Sequence, residues 1–528
     1  MKSFLKISFL LLLTASCSVD LDGTGILDNA ERGGEGVAHE MIVLGERLDD
    51  PYTVENVRKA FEQLYPTKSS RDISPTDLYV RFLPSGEEQM ERLIGLGLEL
   101  TDHPLDYEIL REGDYYHDPE VPDETITWQY AVVSHDFSFP RGIRYEIIDE
   151  CYISENDPAT RGETDIDWSE VEKTAYRMTG NGDLLDSHTG TKASSSKPAG
   201  RISIVDEEAF GGKPFGVSGV KISCNSFVKF SSTHTDRDGY YTIPKSFSSK
   251  VRYRLIFDNE KDFAIGINLI LVPASVSALG KGDPSGLNMT VTKESDEKLY
   301  RRCAVNNAAY DFYDRCREDD MDISQPPKGL RLWIFKDMSA STSFMLHHGA
   351  IIDMDVLDKY LGVYRTLAKI FLPDITIGTK AAETYSDIYS ATVHELSHAS
   401  HYRKVGNDYW NRFLGYTASS YISSWGNSLG DGSGTNAGYC EVAEMWAFYM
   451  ESKMYKERYG GAMPTFGTSW WFYPQIFRYL DDRGMTRNEI YAALEDDIVS
   501  RDGLHARLIS LYPDRQTTID QLFDRYRN

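Results

Sequence analysis

The spacing of apolar residues changes character several times along this chain, and the changes divide it. The first seventeen residues, MKSFLKISFLLLLTASC, carry Lys2 and Lys6, an apolar run from Ile7 to Leu13, and small residues up to Cys17. Such a run is too short to span a bilayer and, with its basic start, reads as a secretory signal. The acidic, Gly-rich stretch 18–40 predicts a flexible tether. Over 41–155 helical and strand spacings alternate. YTVENVRKAFEQLY has apolar residues a helical turn apart, and DLYVRFLP reads as a strand. SGEEQMERLIGLG predicts a helix capped by Ser85 with acids in its first turn. LELTDHPLDYEIL and TWQYAVVSHDF read as further strands, giving an α/β N-terminal unit.

From 156 to 199 the chain turns polar and predicts a linker, with a short helix around Trp168–Arg177. Residues 200–275 then show period-two alternation broken by turns, in GRISIVDEE, GVSGVKISC, SFVKFSSTHTDRDGYYTIP and KVRYRLIFD, which predicts an all-β sandwich. Asp236 and Asp238 sit beside Gly239 and read as hairpin formers rather than calcium ligands. Residues 297–528 are mainly helical. Helical spacing runs through 297–318, 383–405, 438–455, 472–482, 486–498 and 515–527, and GLRLWIFK and FLPDITIG are the strand candidates. The expected architecture is multidomain: an α/β unit, a β-sandwich and a mainly helical α+β region.

At 528 residues the chain exceeds what one hydrophobic core usually holds. A hydrophobic share of 41% with 26% charged residues excludes a disordered chain. The net charge of −25 excludes nucleic acid and anionic membrane as primary partners, since both would repel it. Cys17, directly after Thr14-Ala15-Ser16, resembles the lipobox of bacterial lipoproteins, in which this cysteine is acylated after cleavage. That resemblance implies a lipid anchor through Cys17 in the cell envelope. The other five cysteines, 151, 224, 303, 316 and 440, are scattered and predict no disulfide framework.

The candidate chemistry lies in SATVHELSHASHYRK, residues 390–404. On a helix His394 and His398 share one face a turn apart, so both imidazoles can reach one Zn2+. Glu395 falls about 100° round the helix, where it can serve as general base toward a metal-bound water without being a ligand. Ile388, Val393 and Leu396 would bury this helix. His401 is two turns from His394, too far to share the ion on a straight helix. It reads as a residue beside the cleft or a plain polar position. The region after His398 lacks the glycine and third histidine of the metzincins, so that family is excluded. A third ligand is then expected from another helix, and GYCEVAEMWAFYM (438–450) offers Glu444, with Glu441 as the alternative. Cys440 reads as core. Tyr416, Tyr421, Tyr439, Tyr449 and His401 are the candidates for a transition-state electrophile. His117 reads as a turn residue, and His347 and His348 as exposed.

Two further resemblances rest on these motifs. GVSGVKI and TDRDGYYTIP resemble the carboxypeptidase regulatory-like domain, a prealbumin-like sandwich, which implies a spacer or docking module at 200–275. With AEMWA around Glu444, the HELSH helix resembles the gluzincin-type zincins. The chain thus resembles the lipoprotein zinc metallopeptidases of Bacteroidetes-type bacteria. This implies a zincin-like catalytic region at 297–528, a peptide or protein substrate, Zn2+ held by His394, His398 and Glu444, and Glu395 activating water. The competing expectation is a lipoprotein of a nutrient-uptake system that binds peptide or glycan on the same scaffold without cleaving it.

Overall fold

A computed structural model describes residues 41–528 apart from 69–70, 123–124, 186–194, 267–273, 319–324, 353–354, 356, 358–371, 424–426, 461–469 and 527–528. The expected signal and tether, with Cys17, lie outside the described residues. The N-terminal unit comprises β1 (Val43–Arg47), α1 (Val54–Leu64), β2 (Asp77–Leu83), α2 (Glu87–Gly95), β3 (Tyr107–Arg111), β4 (Gln129–Ser134) and β5 (Arg144–Cys151). β2 lies between β4 and β5 in an antiparallel three-stranded sheet, and β1 pairs with β3. α2 covers one face of that sheet through Leu93 against Leu78, Val80 and Phe82. The cap expected at Ser85 is not formed: Gly86 holds the N-cap position without a side-chain bond, and the Ser85 N–H donates to Gln89. LELTDHPLDYEIL becomes a strand only from Tyr107 on.

The stretch expected as a linker contributes α3 (Trp168–Met178), whose Val171 and Ala175 pack on Val57, Ala60 and Phe61 of α1. The polar residues there form the outer face of an amphipathic helix, so composition alone masked a packed element.

Next come β6 (Ala199–Ile204), β7 (Phe215–Gly216), β8 (Val220–Ser226), β9 (Lys229–His234), β10 (Tyr240–Thr242), β11 (Val251–Asn259), β12 (Phe263–Gly266), β13 (Val276–Gly282) and β14 (Asn288–Val291). β6, β7, β10 and β14 form one sheet. Its Ile202, Ile204 and Tyr241 share an apolar core with Ile222, Cys224, Tyr253 and Leu255 from β8 and β11 of the other. At the hairpin before β10, Asp236 Oδ1 accepts the backbone N–H of Asp238 and of Tyr240, both at 2.9 Å. Gly239 has φ +81°, and a Cβ there would meet the Ile202 carbonyl at 2.0 Å, so only glycine fits.

The second sheet does not stop with the sandwich. α4 (Glu297–Glu318) is followed by β15 (Leu330–Phe335), β16 (Thr342–Ser343) and β17 (Ile375–Gly378). β12 pairs in parallel with β15, β15 in parallel with β17, and β17 antiparallel with β16. One eight-stranded sheet therefore runs from β9 to β16. Beyond it stand α5 (Tyr385–Ser423), α6 (Ala437–Tyr459), α7 (Gln475–Asp481), α8 (Arg487–Ala492), α9 (Arg501–Leu511) and α10 (Gln516–Arg525). The described architecture is thus mixed α/β with one large sheet and a helical C-terminal region. FLPDITIG, expected to be a strand, supplies β17 inside the sheet, and the edge is β16.

Candidate metal centre

The helix expected over 383–405 ends where expected. Gly406 has φ +78° and ψ −177°, a conformation that breaks the helix inside α5. The chain then folds back, and Trp410 and Phe413 pack on His398 with ring centroids at 5.8 and 5.5 Å. α6 lies against α5 with its central turns buried all round, which explains its lack of an amphipathic pattern. His394 meets Phe448 and Glu451 while His398 meets Glu444, so the two helices run antiparallel.

This arrangement brings His394, His398 and Glu444 together, with one donor atom of each within 4.8 Å of the others. The Nε2 atoms of His394 and His398 each lie 3.4 Å from a Glu444 carboxylate oxygen. All three residues are buried, Glu444 completely. Among the described residues neither Glu444 oxygen has a hydrogen-bond partner. A buried carboxylate without donors is costly, and two imidazole nitrogens facing it complete a donor set suited to a tetrahedral cation. The residues present therefore fit a zinc ion.

Support for the donors is uneven: among the described residues His398 Nδ1 has no hydrogen-bond partner, whereas His394 is held. His394 Nδ1 lies 3.0 Å from Glu451 Oε2, which directs Nε2 toward Glu444. Burial works against a charged imidazole at His394, but Glu444 and Glu451 outweigh it and hold its pKa well above the ordinary range. Burial would likewise raise Glu444, yet His398 and His394 hold its carboxyl below the usual range. Glu395, one residue round the helix, accepts a 2.8 Å hydrogen bond at Oε2 from the Ser343 hydroxyl on β16. Burial pushes its carboxyl up, against the opposing pull of His394, His398 and that hydroxyl. The Ser343 carbonyl accepts from Trp410 Nε1 at 3.0 Å, so the fold-back after Gly406 also fixes the edge strand. The result is a buried cluster of three convergent donor residues with an adjacent carboxylate.

No known family, curated protein or solved structure matches this chain.

The remaining candidates fall outside this cluster. Glu441 accepts the Arg501 backbone N–H at 3.0 Å and so holds the start of α9. Cys440 is buried beside Tyr409, and the other four described cysteines are buried too. His401 is fully buried against Tyr409 and Trp410 with both ring nitrogens unpartnered. Burial brings its pKa down to about 3, which makes it a neutral core residue rather than a polar surface position. The Tyr416 hydroxyl is engaged with Leu429 and Gly432, and Tyr439 packs on Tyr409. Tyr449 packs on Trp446 and Phe477, and none of the candidate electrophiles makes a described contact with the three ligands apart from the charge of His398 on His401. His117 binds the carbonyls of Asp118 and Thr125, as a turn residue does.

His347 and His348, expected to be exposed, are half-buried. His348 lies 2.9 Å from Asp374, and His347 sits between Glu87 and Glu91 of α2. Arg331 pairs with both of those glutamates and offsets one of their two charges.

Two supporting residues, Glu451 and Ser343, were not anticipated. Glu451 lies seven residues after Glu444, two turns along the same helix face, and that spacing was a usable signal. Ser343 belongs to a two-residue strand in a Ser/Thr-rich stretch, and nothing in the local sequence singles it out.

Proposed function

We propose that this chain is a zinc-dependent metallopeptidase, anchored in the cell envelope by a lipid on Cys17, that hydrolyses peptide bonds in peptide or protein substrates. The reading places it beside the lipoprotein zinc metallopeptidases that its motifs resemble, with a zincin-like catalytic region after a regulatory-like sandwich. One observation carries it: His394, His398 and a hydrogen-bond-free, buried Glu444 converge beside Glu395. His394, His398 and Glu444 would hold the metal, which when bound would supply an acidified water and polarisation of the scissile carbonyl. Glu395 takes the proton of the attacking water and delivers it to the leaving amine. Ser343 holds Glu395 in place, and Glu451 fixes the tautomer of His394.

The test combines metal analysis with cleavage assays of purified protein on a peptide-library and denatured-protein panel. Stoichiometric zinc, cleavage by the wild type and loss of cleavage with retained zinc in Glu395→Gln are expected. Zinc should be lost in Glu444→Ala and kept in Glu441→Ala. Stoichiometric zinc with no cleavage by the wild type would leave the scaffold a binding protein and sink the hydrolytic reading.

A further inference from the structure

Far from the metal residues, between the N-terminal unit and the outer face of the large sheet, lies a cleft of about 290 Å3. Strand alternation sets its floor. Ile222, Cys224, Tyr253 and Leu255 point into the sandwich core, so Ser223, Arg254 and Ile256 point the other way. Arg254 and Ser223 are directly opposed across the β8–β11 pair and so stand side by side in the cleft. Met90, Ile94 and Leu98 from the region of α2, together with Phe230, supply an apolar wall.

Two features of this floor ask for a ligand. Arg254 is only 4% exposed, and among the described residues no carboxylate touches its guanidinium. Its partners are neutral: Asn225 Oδ1 at 3.2 Å and His103 Nε2 at 2.6 Å. His103 is turned to offer Nε2 because Nδ1 faces Asp102 Oδ1 at 2.7 Å. Burial lowers the Arg254 pKa to about 10, which leaves it charged at neutral pH. Asp102 acts on it only from behind His103, so the guanidinium lacks a direct counter-ion, an unfavourable state for a buried cation. The Ser223 hydroxyl beside it is 1% exposed at the residue level and among the described residues has no hydrogen-bond partner, a second unfilled demand at the same place.

We propose that this cleft binds a small amphiphilic monocarboxylate, its carboxylate on Arg254 and the Ser223 hydroxyl and its hydrocarbon part against Met90, Ile94, Leu98 and Phe230. The guanidinium supplies the charge and geometry that carboxylates select, and the apolar wall excludes fully hydrated anions. The site is independent of the metal centre, so it stands or falls without the peptidase reading.

Isothermal calorimetry on the purified full-length protein with octanoate, 1-octanol and octylamine tests it. Octanoate should bind one to one, with and without a zinc chelator, while the alcohol binds at least tenfold more weakly and the amine not at all. Ser223→Ala breaks no internal hydrogen bond and should weaken octanoate about tenfold, the loss of one bond to a charged group. Arg254→Gln should abolish binding. If that variant does not fold, Ala264→Phe, which narrows the cleft from β12, should abolish it instead. No heat with octanoate, equal binding of octylamine, or unchanged affinity in Ser223→Ala would overturn the assignment.

Discussion

Glu451 and Ser343 show how much of a site lies in residues that never touch the reacting atoms. Glu451 holds one nitrogen of His394 so that the other is free to face Glu444. Glu451→Gln should retain stoichiometric zinc but bind it roughly ten- to a hundredfold more weakly, as read by competition with a chelator. Ser343 donates to Glu395 and so lowers a carboxyl that burial raises. A general base works when deprotonated, so activity rises with pH through its pKa. Ser343→Ala lets that pKa climb. The acidic limb of the kcat/KM profile should therefore move to higher pH by about half to one unit, with little change at the plateau. A limb that stays in place would show that the hydroxyl does not act on Glu395. The two histidines of the candidate cluster were legible at this scale because i, i+4 histidines on a helix leave few readings. The preference for Glu444 over Glu441 rested on resemblance, since which turn of α6 faces α5 is contained in no single-helix pattern.

α1, with one face wet, falls where apolar spacing put it. α4 was legible as well, over Glu297–Glu318, although nearly all of it is buried. α9 was missed, because Gly503 interrupts its first turn and its apolar residues do not line one face. Its start is marked only by Ser500, whose Oγ accepts from Gly503, and by Glu441 from a different helix. The helix predicted over 486–498 stops at Ala492, ahead of the acidic pair Asp496 and Asp497, residues that disfavour a helix C-terminus. The break in α5 is the element on which the site's walls depend. With φ +78° and ψ −177°, Gly406 occupies a region that residues with a Cβ avoid. Gly406→Ala should lower stability by about 1–3 kcal/mol. Thermal unfolding would measure it, and a change in tryptophan fluorescence would report Trp410 loosening from Ser343.

At the scale of the whole molecule, Arg458 ties the sandwich to the helices around the metal residues. Its guanidinium lies 4.9–5.2 Å from the rings of Phe210, Phe215, Tyr385 and Tyr389. It also pairs with Asp206 at 3.1 Å and Asp311 at 2.9 Å. Asp206 is fully buried, so Arg458→Ala strands a charge and should cost about 3–5 kcal/mol in urea unfolding. A loss under 1 kcal/mol would mean that neither the ion pairs nor the ring contacts of Arg458 hold the junction. The division read from composition put a boundary between 275 and 297, yet β12 and β15 pair across it, from Phe263 with Leu330 to Gly266 with Trp333. Long-range pairing of this kind leaves no mark in local spacing. A gene fragment cut at that boundary would give a polypeptide whose β15 has a bare edge, and bare edges of apolar strands template self-association. Residues 297–528 expressed alone should elute as aggregate in size exclusion and become soluble when 200–296 are restored. Inheritance and recombination are thereby constrained as well: a sandwich that shares its backbone ladder with its neighbour cannot be exchanged like a bead on a string.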